Sequence, residues 1–89
     1  DITNDEGYQA YVRAVRPTIV RHGGEILVAG PGSEIIEGNP GAATVILRFP
    51  SMEVLRGWYE SSEYQQIIGL RTDNTKGSVV FANEFVMPA

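Results

Sequence analysis

The chain has 89 residues, a formal charge of -4 and a pI of about 4.8, which argues for a single domain over residues 1–89. Its seven Lys and Arg are dispersed among eleven Asp and Glu, so no basic patch of the kind that grips phosphates is formed and nucleic-acid binding is not expected. No apolar run approaches the roughly 18 residues of a membrane span, no charged-then-apolar leader opens the chain, and the lack of cysteine removes disulfide and thiolate chemistry and fits a reducing cytoplasm.

A chain of this length buries roughly 60–65% of its unfolded surface. That supports one core with little to spare, and association with a second copy is a natural source of further burial.

Thr3-Asn4-Asp5-Glu6 predicts a helix start, with Thr3 as the cap and Glu6 reaching back to it. Tyr8, Tyr11, Val12, Val15 and Ile19 follow at helical spacing. Pro17 is expected to bend or divide this helix, and Gly23-Gly24 to stop it. Glu25 to Ala29 is a short β-rich run, and Gly30-Pro31-Gly32-Ser33 is turn chemistry. Glu34 to Glu37 continues as a strand or a loose edge, before a second turn at Gly38-Asn39-Pro40-Gly41. Ala43 to Phe49 is the clearest strand, with Val45, Leu47 and Phe49 on one face and Thr44, Ile46 and Arg48 on the other. Two apolar-leaning faces predict that both sides are covered.

Phe49 to Arg71 is the densest mixture of apolar, aromatic and ionisable residues. Ser51 caps a helix after Pro50, and Val54, Leu55 and Trp58 face the core. Ser61-Ser62 interrupts the pattern. Ser62-Glu63-Tyr64-Gln65 restarts it as a capping box, with Tyr64, Ile67, Ile68 and Arg71 on the inner stripe. Thr72 to Gly77 is polar loop. Ser78 to Phe85 alternates as a last strand, and Met87-Pro88-Ala89 is a tail.

The order helix, strand, strand, helix, strand predicts an α+β fold: a ferredoxin-like split βαβ sandwich with an antiparallel sheet. That fold needs one more strand ahead of the first helix, in the middle of the sheet. Asp1-Ile2-Thr3 supplies at most its last stump, so the first strand is expected to be truncated or replaced by a neighbour's.

Tyr8 and Tyr11, Pro17, Gly23-Gly24, Glu37-Gly38, Phe49-Pro50-Ser51, Trp58-Tyr59, Ser61, Glu63-Tyr64-Gln65 and Arg71 together resemble the domain of unknown function 1330 family, within the dimeric α/β-barrel superfamily. The resemblance covers nearly all of the chain. It implies a ferredoxin-like subunit whose open sheet face packs on a second copy, enclosing a space between them. It implies no activity, since the wider superfamily spans cofactor-free monooxygenases, polyketide cyclases, lactone isomerases, haem-handling proteins and ligand-sensing domains, and fold alone does not choose among them.

The candidate site residues each read two ways. His22, the single histidine, is a candidate proton carrier or a helix C-terminal residue suited to the dipole. Without a second His or a Cys it is a poor metal ligand, and no metal or cofactor is expected. Arg48 needs a carboxylate or a ligand anion on its strand face. Trp58, Tyr59 and Tyr64 are pocket walls with hydroxyls at the rim, or plain core. Arg71 is a carboxylate clamp or a cap on helix carbonyls. Glu37 is a turn-flanking acid. Gly30-Pro31-Gly32-Ser33 lacks the Lys-Ser/Thr of a phosphate loop, and no serine sits in a nucleophile elbow.

Two functions follow. In the first, a homodimer binds a small aromatic or carboxylated metabolite at Arg48, Trp58, Tyr59, Tyr64 and Arg71, and any chemistry is cofactor-independent. In the second, the domain is a non-enzymatic dimerisation or interaction module. No reaction is legible in the sequence.

Overall fold

The computed structural model describes residues 2–31, 34–38, 41 and 43–84. Helix α1 spans Asp5–Arg21, strand β1 Glu25–Pro31 and strand β2 Ala43–Arg48; three helical segments follow, α2 Met52–Glu60, α3 Ser62–Gln65 and α4 Ile68–Thr72. The chain is thus α+β, with helices beside a two-stranded antiparallel sheet. No helix among the described residues is long and apolar enough to cross a membrane.

Local chemistry explains most element ends. Asn4 caps α1, its side chain accepting from the Gly7 amide at 3.4 Å. This corrects the expectation of Thr3 by one residue. Pro17 lies inside one continuous helix rather than dividing it. Gly23 ends the helix at φ 75°, a conformation glycine adopts without a Cβ penalty. Ser51 caps α2 as expected, its Oγ accepting from Val54 N at 3.1 Å. The next cap is Ser61 rather than Ser62; its Oγ accepts from Tyr64 N at 3.2 Å. The helical run expected to continue through Arg71 breaks at Gln66 and Ile67 into α3 and α4.

In the hairpin Glu25 faces Arg48, Ile26 faces Leu47, Val28 faces Ile46 and Ala29 faces Val45, with a bulge between Ile26 and Val28. Cross-strand partners share a face and neighbours along a strand alternate. Leu47 packs on the core, so Ile26, Ala29, Val45 and Leu47 form the helix-side face. Glu25, Val28, Ile46 and Arg48 form the outer face. Gly30 and Pro31 extend β1 instead of turning. The predicted turn residues Gly32, Ser33, Asn39 and Pro40 lie outside the described residues, as do Asp1, Phe85 and the tail.

Two expectations about the sheet fail. Residues 76–84 carry no strand: among the described residues β2 pairs with β1, and the alternating run from Ser78 joins no ladder there. Nor are both faces of β2 covered within the chain, since Val45 is 51% and Ile46 47% exposed. The predicted stump survives as one antiparallel bridge between Ile2 and Thr75.

The core is accordingly narrow: Val15 and Ile19 from α1, Trp58 from α2 and Tyr64 from α3, with Tyr11, Leu47, Phe49, Leu55, Tyr59, Ile67 and Ile68 packed around them. The molecule measures 45 × 36 × 15 Å with a radius of gyration of 14.0 Å. A compact domain of this length has about 12 Å. Its accessible surface is 6678 Å², about 1,500 Å² above the value expected for a compact monomer of its mass.

Candidate functional site

The densest chemistry lies where α1 meets α2, α3 and α4. The helical rise brings Tyr11, Val15, Thr18 and Ile19 to one side of α1. Tyr64 enters from α3 and is 2% exposed. Its hydroxyl sits 2.9 Å from that of Tyr11 and accepts from Arg71 Nε at 3.2 Å. Burial, and then the hydrogen bond to Tyr64, raise the Tyr11 phenol far above its ordinary range. Tyr11 is therefore a neutral hydrogen-bonding group here and not a base. Among the described residues no carboxylate lies within ion-pairing distance of Arg71, and its hydrogen bond to Tyr64 uses Nε.

An aromatic ladder continues from Tyr64. Its ring lies 4.2 Å from Trp58 and 5.2 Å from Tyr59. Trp58 lies 5.2 Å from Phe49, and Tyr59 meets Phe81 edge-on at 5.2 Å. Arg56 sits over the Phe81 ring at 5.8 Å, within cation–π range.

Beside the ladder, Thr18 is a buried polar hub. Its hydroxyl donates to Val15 O at 2.6 Å and accepts from Trp58 Nε1 at 2.9 Å. Its carbonyl meets His22 Nδ1 at 2.8 Å. The indole is thus satisfied inside the core, as a buried Trp N–H requires. No buried side-chain nitrogen or oxygen among the described residues lacks a partner.

Of the sequence-derived candidates, Trp58, Tyr59, Tyr64 and Arg71 come together. Arg48 and His22 do not join them. Arg48 lies on the outer sheet face, paired with Glu25 at 3.3 Å, so a carboxylate of the same chain meets the need that the sequence raised. His22 caps α1 and turns its ring back onto the helix. Arg71 bonds to a tyrosine hydroxyl, whereas the helix-end carbonyls are met by others: Asn74 donates to Leu70 O at 2.7 Å and Thr75 to Arg71 O at 2.7 Å. Tyr11 and Thr18 are the members that sequence reasoning missed. Tyr11 was visible only as a stripe residue. Thr18 carried no signal beyond its place between Val15 and Ile19.

Two clefts open elsewhere. One, of about 340 Å³, is lined by Gly23, Glu25, Arg48, Phe49, Pro50 and Glu84. The other, of about 250 Å³, lies between the start of α1 and β1, against Ile2, Tyr8, Val12, Ala29 and Gly30. Neither is lined by the Tyr64 cluster. No group of three His, Cys, Asp or Glu among the described residues is placed to hold a metal.

These features define a small α+β domain with an aromatic core, a tyrosine–arginine hydrogen-bond chain and a thinly covered hairpin. The family model described as Domain of unknown function (DUF1330) matches residues 1–85, and the chain belongs to that family. No curated protein matches it.

Proposed function

We propose that the protein is a homodimerisation module whose subunits meet through the outer face of the hairpin, in the manner of a ferredoxin-like dimeric α/β barrel. The carrying observation is the apolar exposure of that face. Val28 is 43% and Ile46 47% exposed, side by side in the register. The surface excess of about 1,500 Å² on one chain exceeds the roughly 800 Å² that each partner gives to a standard-sized interface, so one such contact is well within what the chain exposes. The rim pair Arg48–Glu25 is exposed on both sides, suiting a polar border around an apolar centre.

The chain has no cysteine, so a single Ile46→Cys substitution reports on this contact alone. If the outer faces meet about a twofold axis, mild oxidation links two chains rapidly. An Arg13→Cys control on the exposed side of α1 stays unlinked. Equal linkage at both positions contradicts the reading.

A second reading is favoured by Arg71. A half-buried guanidinium held by a tyrosine hydroxyl, with no carboxylate beside it among the described residues, suits a carboxylate ligand met bidentately. The aromatic neighbours suit an aromatic body. Simple aromatic acids then raise the melting temperature of the native chain and not that of Arg71→Ala. An equal response from both ends this reading.

A further inference from the structure

Trp58, the single tryptophan, sits at the centre of the aromatic ladder and is 4% exposed. The molecule is only 15 Å through at its narrowest, so no core ring is far from a one-electron oxidant at the surface. An indole that loses an electron becomes a radical cation, and it settles in place when its N–H proton leaves. Here Nε1 donates to the Thr18 hydroxyl at 2.9 Å. That hydroxyl itself donates to Val15 O and is no base. The positive hole therefore stays mobile, and it comes to rest on a neighbour that can give up an electron and shed a proton.

Tyr64 is the nearest ring, at 4.2 Å. Its hydroxyl meets the phenol of Tyr11 and the guanidinium of Arg71. Arg71 is a fixed cation with no acceptor site, Tyr11 is a neutral phenol, and neither takes a proton. The cation also disfavours further positive charge beside it. Tyr64 is thus a bridge for the hole and not its resting place. Tyr59 differs. Its ring lies 5.2 Å from Tyr64 and 6.2 Å from Trp58. Its hydroxyl has no hydrogen-bond partner among the described residues, and no buried side-chain oxygen there lacks one, so this hydroxyl reaches water, which accepts its proton. Tyr8 stands two rings beyond Tyr64, through Tyr11, at steps of 6.4 and 6.1 Å.

We infer that Trp58, Tyr64 and Tyr59 form a hole-transfer relay that carries oxidising equivalents out of the core and ends at the Tyr59 hydroxyl. One electron leaves the Trp58 indole for a one-electron oxidant of the peroxyl or azide radical class. An electron from Tyr59 refills the indole across the Tyr64 ring. The Tyr59 O–H bond breaks, its proton goes to water, and a neutral phenoxyl radical remains. A thiol or ascorbate then returns one hydrogen atom to that oxygen. The balance is one electron to the oxidant, one proton to water and one hydrogen atom from the reductant. The relay spares Trp58, whose oxidation would break the bond to Thr18 and open the centre of the core. It uses neither the outer sheet face nor a bound ligand, so its failure leaves both readings of function standing.

The experiment is pulse radiolysis of the native chain with azide radicals, which oxidise indole in preference to phenol at neutral pH. Indole and phenoxyl radicals are followed by their separate absorption bands. The expected result is a first-order conversion of the indole radical to a phenoxyl radical, at a rate independent of protein concentration. Tyr59→Phe loses that conversion. Tyr64→Phe, which keeps the bridging ring, and Tyr8→Phe both retain it. Under steady generation of the same radical with ascorbate present, mass spectrometry finds oxygen added to Trp58 faster in Tyr59→Phe than in the native chain. Conversion that persists in Tyr59→Phe, that is lost in folded Tyr64→Phe or in Tyr8→Phe, or that scales with protein concentration overturns the inference. So does equal oxygen uptake by Trp58 in the native chain and Tyr59→Phe. Where Tyr64→Phe does not fold, the Tyr59→Phe and Tyr8→Phe results decide.

Discussion

The hydroxyls of Tyr11 and Tyr64 meet at 2.9 Å although 53 residues separate them in sequence, and this contact ties the first helix to the third. Arg71 completes the chain from the other side of Tyr64. Tyr64→Phe removes the central member and strands Tyr11 in a half-buried setting. It is expected to cost about 1–3 kcal/mol. Tyr11→Phe leaves Tyr64 bonded to Arg71 and costs about 1 kcal/mol. Urea denaturation of both variants measures the order; equal costs would mean that Tyr64 is not the centre.

High pH offers a separate test of Tyr11. Burial and the Tyr64 hydrogen bond raise its folded pKa, while the unfolded phenol titrates near about 10. Above that pH the folded state holds the proton that the unfolded state has lost. Stability is therefore full below about pH 10 and falls as pH rises beyond it. Melting curves from pH 8 to 11 on the native chain and Tyr11→Phe should diverge in slope above about pH 10, with the variant flatter. Parallel curves would contradict the assignment.

Thr18 supports the indole of Trp58. Thr18→Val keeps the shape and removes the acceptor, leaving Nε1 unpaired in the core, at about 1–3 kcal/mol. Thr18→Ser retains the hydroxyl and costs less than half as much. Tryptophan fluorescence during denaturation reads the local change directly, because the chain has one Trp.

Gly24 is a close-approach position. A Cβ there would lie 2.7 Å from both Ile19 Cγ2 and Phe49 Cε1. Gly24→Ala is expected to destabilise by about 1–3 kcal/mol through overpacking. By contrast, Arg21→Ala, which removes the exposed pair with Glu63, should cost no more than about 1 kcal/mol and less at high salt. Thermal melts at two salt concentrations separate these cases.

What the sequence disclosed was local. The Ser51 cap, the Gly23 stop and the face shared by Val45, Leu47 and Phe49 each follow from a few adjacent residues, and each appears in the structure. The site was half legible. Trp58, Tyr59, Tyr64 and Arg71 fall within one short stretch, so helical spacing alone gathers them. Tyr11 and Thr18 come from a helix about 40 to 50 residues away and join only through packing, which no spacing encodes. Residues 78–84 show the converse. Their alternation is plain, but a strand exists only with a neighbour, and no ladder among the described residues includes them. Arg48 was correctly placed on its face; its partner Glu25 depended on a register that includes a bulge.

The central claim is that two copies close over the outer face of the hairpin. Sedimentation velocity on the native chain and on Ile46→Asp tests it most directly. The account predicts a mass of two chains for the native protein and of one chain for the variant, with helical content unchanged. A native protein that sediments at the mass of a single 9.7 kDa chain across the accessible concentration range would contradict it.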